Sequence, residues 1–340
     1  MAEARSIESK GIEAVADCSS VSELLKLTGT GATGQILFAL DPRALRTKKL
    51  TERIPTYAPR TIYRHARRLT ELKLIDREEI PGVPSTVIHC LSDPAGKDLV
   101  RLIDAYAKVT LPPHSDPRTD PSLWGSLGLI GEMWGYGWIE VLSYGGHSVT
   151  DMTELTKGMT FHQVTRRLHQ LVSWGLVYES SARGQRKRYQ LSDRTRKATA
   201  LIAGLGRWRQ QHLLGGQEGG LNVSEMTTVL RTSLPLLELP DHQNTNIQLG
   251  IVGTTGNDGD RGSATLMGRV SPGGAVRCIK GKPSSDAWAL GTVDTWLAAL
   301  LDGDRGRLRV SGDLDFIDHC LKQLHETLWA PAPVEAVAPR

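Results

Sequence analysis

"RTIYRHARRLTELKLIDRE", residues 60–78, places Arg60, Arg64, His65, Arg67 and Arg68 on one helix-like stretch and follows it with a short apolar run. "HQVTRRLHQLVSWGLVYES", residues 162–180, aligns with it without a gap at an offset of 102. Ile62 falls on Val164, Arg64 on Arg166, Leu69 on Leu171, and Leu74-Ile75 on Leu176-Val177. In each copy the apolar residues recur at i, i+4 and i+7, the spacing of a buried helical stripe: Ile62, Ala66 and Leu69, then Val164, Leu168 and Leu171. Arg60, Tyr63, Arg64 and Arg67 are thereby turned outward in one copy, and His162, Gln163, Arg166 and Gln170 in the other.

The duplication extends beyond the two helices. "LTE" at 50–52 matches "MTE" at 152–154, while "CLSD" at 90–93 matches "QLSD" at 190–193 at an offset of 100. A two-residue deletion reconciles the offsets, and it falls in a turn, "EEIPGVPST" in one copy and "SSARGQRKR" in the other, where exposed loops absorb length changes. The segments "LKLIDREEI" with "TVIHCLSD", and "SWGLVYES" with "KRYQLSD", suit paired antiparallel strands. Each copy therefore reads as a helix-turn-helix followed by a two-stranded wing. The proline-rich linker "LPPHSDPRTDPS" at 111–122 separates the copies, and "LLGGQEGG" at 213–220 closes them. Three domains are expected: 18–110, 121–212 and 222–330.

Composition bounds the function. A 340-residue chain, 39% hydrophobic and 23% charged, is long enough for two or three globular domains. No apolar run approaches the ~20 residues that span a bilayer. "MAEARSIESKGIEAVADC" lacks the features of a secretory signal, so a cytoplasmic location without membrane attachment is expected. Cys18, Cys90, Cys278 and Cys320 are too dispersed for a zinc site or a disulfide framework. The formal charge of +4 is uneven: from Asn222 onward 11 basic residues face 14 acidic ones, leaving 30 against 23 in the duplicated part. An excess of +7 there marks where a polyanion would bind.

The second copy, "LGLIGEMWGYGWIEVLSYGGHSVTDMTELTKGMTFHQVTRRLHQLVSWGLV", resembles the HxlR-type winged-helix transcriptional regulators, with Gly131 and Trp134 in a Leu-x-x-x-Gly-x-x-Trp run. The first copy is similar from "LTERIPTYAPRTIYRHARRLTELKLIDRE" onward but lacks the tryptophan in "LLKLTGTGATGQILFAL". The resemblance implies a recognition helix in the major groove of double-stranded DNA. On that basis Arg60, Thr61, Tyr63 and Arg64, with His162, Gln163, Thr165 and Arg166, are the expected base readers, and Arg67, Arg68 and Arg167 the phosphate contacts. The second wing gathers Arg183, Arg186, Lys187 and Arg188 around a glycine turn, whereas "IPGVPST" has no basic residue, so the two copies are expected to grip DNA differently. A solvated charged helix and a plain hairpin are the structural alternatives.

Downstream, "NTNIQLGIVG", "GSATLMGRV" and "GAVRCIKGK" read as three strands. A helix over "SSDAWALGTVDTWLAALLDG", a short strand "RLRVSG" and a last helix "DLDFIDHCLKQLHETLW" follow. This small α/β region resembles sterol-carrier-type lipid-binding domains, which implies an apolar cavity bordered by Leu249, Ile251, Leu266, Trp288, Trp296 and Leu297. Plain core is the alternative use of the tryptophans.

Catalysis finds little footing in the residues. "GTTGNDGDRG" lacks a P-loop ending, and the histidines are scattered. DNA glycosylases also contain tandem winged helices, but their Gln-x-Gln signature is missing; "RQQH" at 209–212 is adjacent instead. Cys18, ahead of "SSVSELLKL", occupies the place of an oxidant-sensing cysteine in some HxlR-type regulators, yet no basic neighbour lowers its pKa.

The expectation is an α+β chain of two tandem winged helix-turn-helix domains and a C-terminal α/β domain. It would act without a cofactor or enzymatic activity as a sequence-specific regulator. The fused copies would imitate the dimer of single-copy relatives, and the whole chain would be a monomer or a homodimer. A hydrophobic small molecule is the expected effector. The rival is a protein that sequesters such a molecule and uses the winged helices as scaffold.

Overall fold

The computed structural model describes residues 21–329 apart from 42, 83–84, 112–114, 117–119, 136, 157, 182–185, 217–218, 254–261 and 280–283. Cys18 and Arg183 lie outside the described residues. The first run comprises α1 (Val21–Gly29), α2 (Gly31–Leu40), β1 (Leu45–Arg46), α3 (Thr47–Arg53), α4 (Pro59–Glu71), β2 (Ile75–Ile80), β3 (Thr86–Leu91) and α5 (Ala95–Thr110). Pro59 starts α4, where a missing amide hydrogen costs nothing, and the buried Ile62, Ala66 and Leu69 stripe fixes its inner face. Lys73, with φ of 57°, ends the turn after α4, and Leu74 N–H then donates to the Leu69 carbonyl at 2.9 Å. That reversal drives Leu74 and Ile75 into the core and launches β2. β2 pairs antiparallel with β3, Ile75 opposite Leu91, and β1 adds to the other side of β3 with Leu45 opposite His89.

A similar order follows from residue 121, with an isolated bridge of His147 to Tyr189 in place of a β1 strand and two closing helices instead of one: α6 (Pro121–Gly135), α7 (Trp138–Ser143), α8 (Val149–Leu155), α9 (Phe161–Ser173), β4 (Val177–Ser180), β5 (Arg188–Leu191), α10 (Asp193–Ala198) and α11 (Ala200–His212). Helices α8 and α9 begin 102 residues after α3 and α4 and have the same lengths, 7 and 13 residues. Val164, Leu168 and Leu171 are buried as Ile62, Ala66 and Leu69 are. Gly175, φ 67°, stands where Lys73 does. Val177 pairs with Leu191 as Ile75 pairs with Leu91, so the two-residue difference lies between the strands. Even the closing hydrogen bonds recur: Ser92 Oγ donates to the Lys73 carbonyl at 2.6 Å, and Ser192 Oγ to the Gly175 carbonyl at 2.7 Å.

The runs pack through like elements. Helix α1 crosses α6 with almost no side chain between them: a Cβ on Gly29 would stand 2.3 Å from the Gly128 nitrogen. The crossing is reciprocal. Gly131, 102 residues after Gly29, faces Lys26, which is 102 residues before Gly128; a Cβ there would meet the Lys26 nitrogen at 3.0 Å. Ser22 Oγ donates to the Gly131 carbonyl at 3.0 Å. At the other end α5 meets α11, where Trp208 Nε1 donates to the Ala95 carbonyl at 2.8 Å and His212 Nε2 lies 3.2 Å from Asp98 Oδ2.

The remainder opens with α12 (Val223–Ser233), closed at its start by a reciprocal Asn222–Glu225 capping box. A five-stranded sheet follows: β6 (Asn246–Val252), β7 (Ser263–Val270), β8 (Val276–Ile279), β9 (Ala287–Thr292) and β10 (Arg309–Gly312), in the order β10-β9-β6-β7-β8. All neighbours are antiparallel except β6 and β9. The helix expected over 284–303 does not form at its start: residues 287–292 are strand β9. Ala287 and Ala289 are buried while Trp288 and Leu290 are half-buried, the period of two of a strand. Helix α13 (Val293–Leu297) starts only at the Thr292 cap and runs through a π-helical turn at Ala298–Asp302 to Gly303. Trp288 and Trp296 therefore stand on different elements, not eight residues apart on one helix. α14 (Leu314–Trp329) completes the chain's described part.

Candidate nucleic-acid interface

Helix α4 presents a cationic outer face. Arg60, Tyr63, Arg64 and Arg67 are exposed, and Thr61 and Arg68 are half-buried. Glu71 occupies the C-terminal part of that face: Arg67 Nε lies 3.0 Å from Glu71 Oε1 and Arg68 Nη1 3.7 Å from Oε2. Among the described residues Arg60 and Arg64 have no ion-pair partner, so the N-terminal half of α4 carries the available charge. His65 points elsewhere. Its Nδ1 lies 2.9 Å from Thr33 Oγ1, tying α4 to α2, and burial together with the nearby Arg64 charge pushes its pKa down.

Helix α9 differs at the corresponding positions. His162, Gln163 and Arg166 are exposed, and Thr165 is half-buried with its hydroxyl donating to the Phe161 carbonyl at 2.8 Å. Gln163 Oε1 accepts from the Thr160 amide at 2.8 Å, and Thr160 Oγ1 accepts from the Gln163 amide at 3.3 Å. This capping box engages the oxygen through which Gln163 would accept a bond from adenine. Arg167, expected on a phosphate, is half-buried and turned toward α6. Its Nη2 lies 2.5 Å from Glu132 Oε2, and Nη1 donates to Gln170 Oε1 at 2.7 Å. Arg166 is the exposed arginine of α9 without an ion-pair partner among the described residues.

Phe161 adds an exposed ring to this face that the arginine pattern does not point to. The first residue of α9, it is 51% exposed, an unusual place for an aromatic ring, and it stacks edge-on to His162 with centroids 6.3 Å apart. Its signal was present: an aromatic residue at the helix start, outside the Val164–Leu168–Leu171 stripe.

The hairpins contrast electrostatically. Behind α9, Arg186, Lys187 and Arg188 are exposed; Lys187 Nζ pairs with Glu179 Oε1 at 2.7 Å, and Arg188 Nη1 donates to the Gly146 carbonyl at 2.8 Å. The Lys187 ammonium holds the Glu179 carboxyl below its ordinary range, chiefly by that hydrogen bond. Behind α4, β2 exposes Asp76, Arg77, Glu78 and Glu79, a surface ill suited to phosphates.

The six residues assigned to an apolar cavity sit around the C-terminal sheet. Leu249, Ile251, Leu266, Trp296 and Leu297 are buried, and Trp288 is half-buried. Trp296 Nε1 donates to the Gly250 carbonyl at 2.9 Å, which satisfies its polar atom within the protein. Among the described residues no group of three metal-ligating side chains comes together, and no helix is long and apolar enough to cross a membrane.

A cationic helix held on a helical core, with a hairpin behind it, defines a helix-turn-helix unit. Residues 29–111 match the family model described as HxlR-like helix-turn-helix. A curated protein of Methanothermobacter thermautotrophicus, described as an uncharacterized HTH-type transcriptional regulator, is 36% identical over 73 residues, or 22% of this chain and 55% of that protein. The chain thus spans about half the length of the relative it matches. The family match falls on the first run and begins at Gly29, within the stretch expected to depart from the family, whereas the second run, expected to carry the fuller resemblance, lies outside that match.

Proposed function

We propose that the chain is a sequence-specific transcriptional regulator that binds double-stranded DNA through two winged helix-turn-helix units, residues 18–110 and 121–212, joined as a pseudo-dimer. The HxlR-like match supports the first unit. One observation carries the pseudo-dimer: the contact of Gly29 with Gly128 has its mirror in that of Gly131 with Lys26, the reciprocity of a two-fold interface. Two α4-like helices related in this way read two half-sites, about one helical turn apart or a multiple of it. Because α4 offers Arg60, Tyr63 and Arg64 where α9 offers His162, Thr165 and Arg166, the half-sites are imperfect repeats.

The C-terminal unit, 222–330, is taken as an assembly or sensor module with a sterol-carrier-like order of elements. The rival reading, a scaffold that sequesters a hydrophobic metabolite, has no observation in its favour. Burial of Trp296 and its hydrogen bond to Gly250 support a packed interior there. Selection of duplexes from a random pool tests the proposal. An enriched site with two unequal halves is expected; no retention at ~50 mM salt, where electrostatic attraction is strongest, would end it.

A further inference from the structure

Two guanidinium groups are buried where the second run meets the C-terminal sheet. Arg231, on α12, is 5% exposed, and Arg196, on α10, 9%. Their helices are joined by a buried contact of 2.6 Å between Thr199 Oγ1, three residues beyond Arg196, and Thr232 Oγ1, next to Arg231. Cys278, on β8, donates its thiol to the Arg231 carbonyl at 3.4 Å, and both guanidinium charges act on that thiol. The two arginines therefore stand on helices that pack together beside the edge strand β8.

Arg231 is compensated from one side only, and Arg196 has no ion-pair partner among the described residues. Arg231 lies over the Tyr144 ring, 4.0 Å from its centroid, and its Nη1 is 3.4 Å from Glu140 Oε1, a carboxylate on a side chain 46% exposed. Arg231 Nε and Arg196 Nη1 are buried without a hydrogen-bond partner among the described residues. A buried cation lacking a close partner is strongly disfavoured, and such sites are retained where something supplies the missing charge. The planar guanidinium fork fits the paired oxygens of carboxylate and phosphate alike.

We propose that the seam between α10 and α12 binds a compact oxyanion, the carboxylate or phosphate group of a small effector, between Arg196 and Arg231. Such a group would bridge the hairpin side of the second run to the first helix of the C-terminal unit. Any effect on DNA affinity rests on the proposed function; binding of the oxyanion does not.

Thermal unfolding of the full chain, with inorganic phosphate or succinate added and ionic strength matched with chloride, tests the site without DNA. Near saturation the melting temperature should rise by about 2–4 °C. Response to phosphate alone assigns a phosphorylated effector, and response to succinate alone a carboxylate. The rise should persist in the Arg64→Ala/Arg166→Ala double variant and vanish in Arg196→Met and Arg231→Met. Should either methionine variant fail to fold, Arg231→Lys keeps the charge without the fork and should weaken oxyanion binding about tenfold in calorimetric titration. No rise with either anion, or a rise abolished by the Arg64→Ala/Arg166→Ala change instead, overturns the site. Failure to bind DNA would count against the proposed function alone.

Discussion

Gly29 and Gly128 meet backbone to backbone, but their tolerance for a methyl group is unequal. A Cβ on Gly29 would lie 2.3 Å from the Gly128 nitrogen, whereas one on Gly128 would lie 3.6 Å from the Gly29 carbonyl oxygen, an ordinary contact. Gly29→Ala must therefore push α1 off α6, at a cost of about 1–3 kcal/mol in urea unfolding. Gly128→Ala, inside a helix, should be neutral or stabilising by up to ~1 kcal/mol. Equal effects of the two substitutions would show that the helices do not cross at this point.

The arginines of α4 and α9 should separate by role. Arg64→Ala and Arg166→Ala remove exposed cations that have no ion-pair partner among the described residues, and should each cost about 1–3 kcal/mol at the preferred DNA site while relaxing one base position. Arg186→Ala, which removes an exposed hairpin cation with no ion-pair partner among the described residues, should weaken binding to all sequences and lower the salt slope by about one. Arg167→Ala breaks the Glu132 pair and should lower folding stability with little change in sequence preference. Loss of specificity in Arg167→Ala, with none in Arg166→Ala, would reverse the assigned orientation of α9.

Much of the helix-and-hairpin structure was legible in the chain because its signals are local. The i, i+4, i+7 stripes of α4 and α9 named their buried residues, and the offset change from 102 to 100 located the deletion between the wing strands. The engagement of Gln163 was also open to sequence reading, since Thr160-x-x-Gln163 is a capping-box spacing. Other features leave no such trace. Gly29 on Gly128 is a contact between atoms common to every residue, and no periodicity announces it. β9 was hidden because Leu290, Val293, Leu297 and Leu300 recur at helical spacing across a strand–helix junction, with only the Thr292 cap to mark the boundary. Arg196 and Arg231 stand on helices that only tertiary packing of α10 on α12 brings together.

Acid should loosen the first run through two histidines. Burial, aided by the Arg64 charge, lowers the pKa of His65 below 6.5, and burial with the Arg77 charge does the same for His89, whose Nε2 lies 3.2 Å from Thr47 Oγ1. The unfolded chain then binds these protons more readily than the folded one. Their contribution is complete above the ordinary histidine pKa of about 6.5 and is lost as pH falls toward the depressed values. Urea midpoints measured from pH 7.5 down to 5 should fall more steeply for the natural chain than for His65→Gln/His89→Gln. Parallel curves would mean that other groups govern the acid response.

Trp296 tests whether the C-terminal sheet is packed or hollow. Its ring is fully buried and its Nε1 is bonded to the Gly250 carbonyl, so Trp296→Phe removes a buried hydrogen bond as well as ring volume. A loss of about 1–3 kcal/mol is expected, since the truncated site leaves an acceptor short of a partner and space beside it. Trp288, half-buried on β9, should accept Phe for less than about 1 kcal/mol. Acrylamide quenching of the full chain adds an independent readout: replacing Trp296 should remove a protected component of the emission, and replacing Trp288 a more accessible one. If Trp296→Phe instead leaves the urea midpoint unchanged and the protected component intact, the ring borders open space, and the apolar-effector reading of this domain regains its footing.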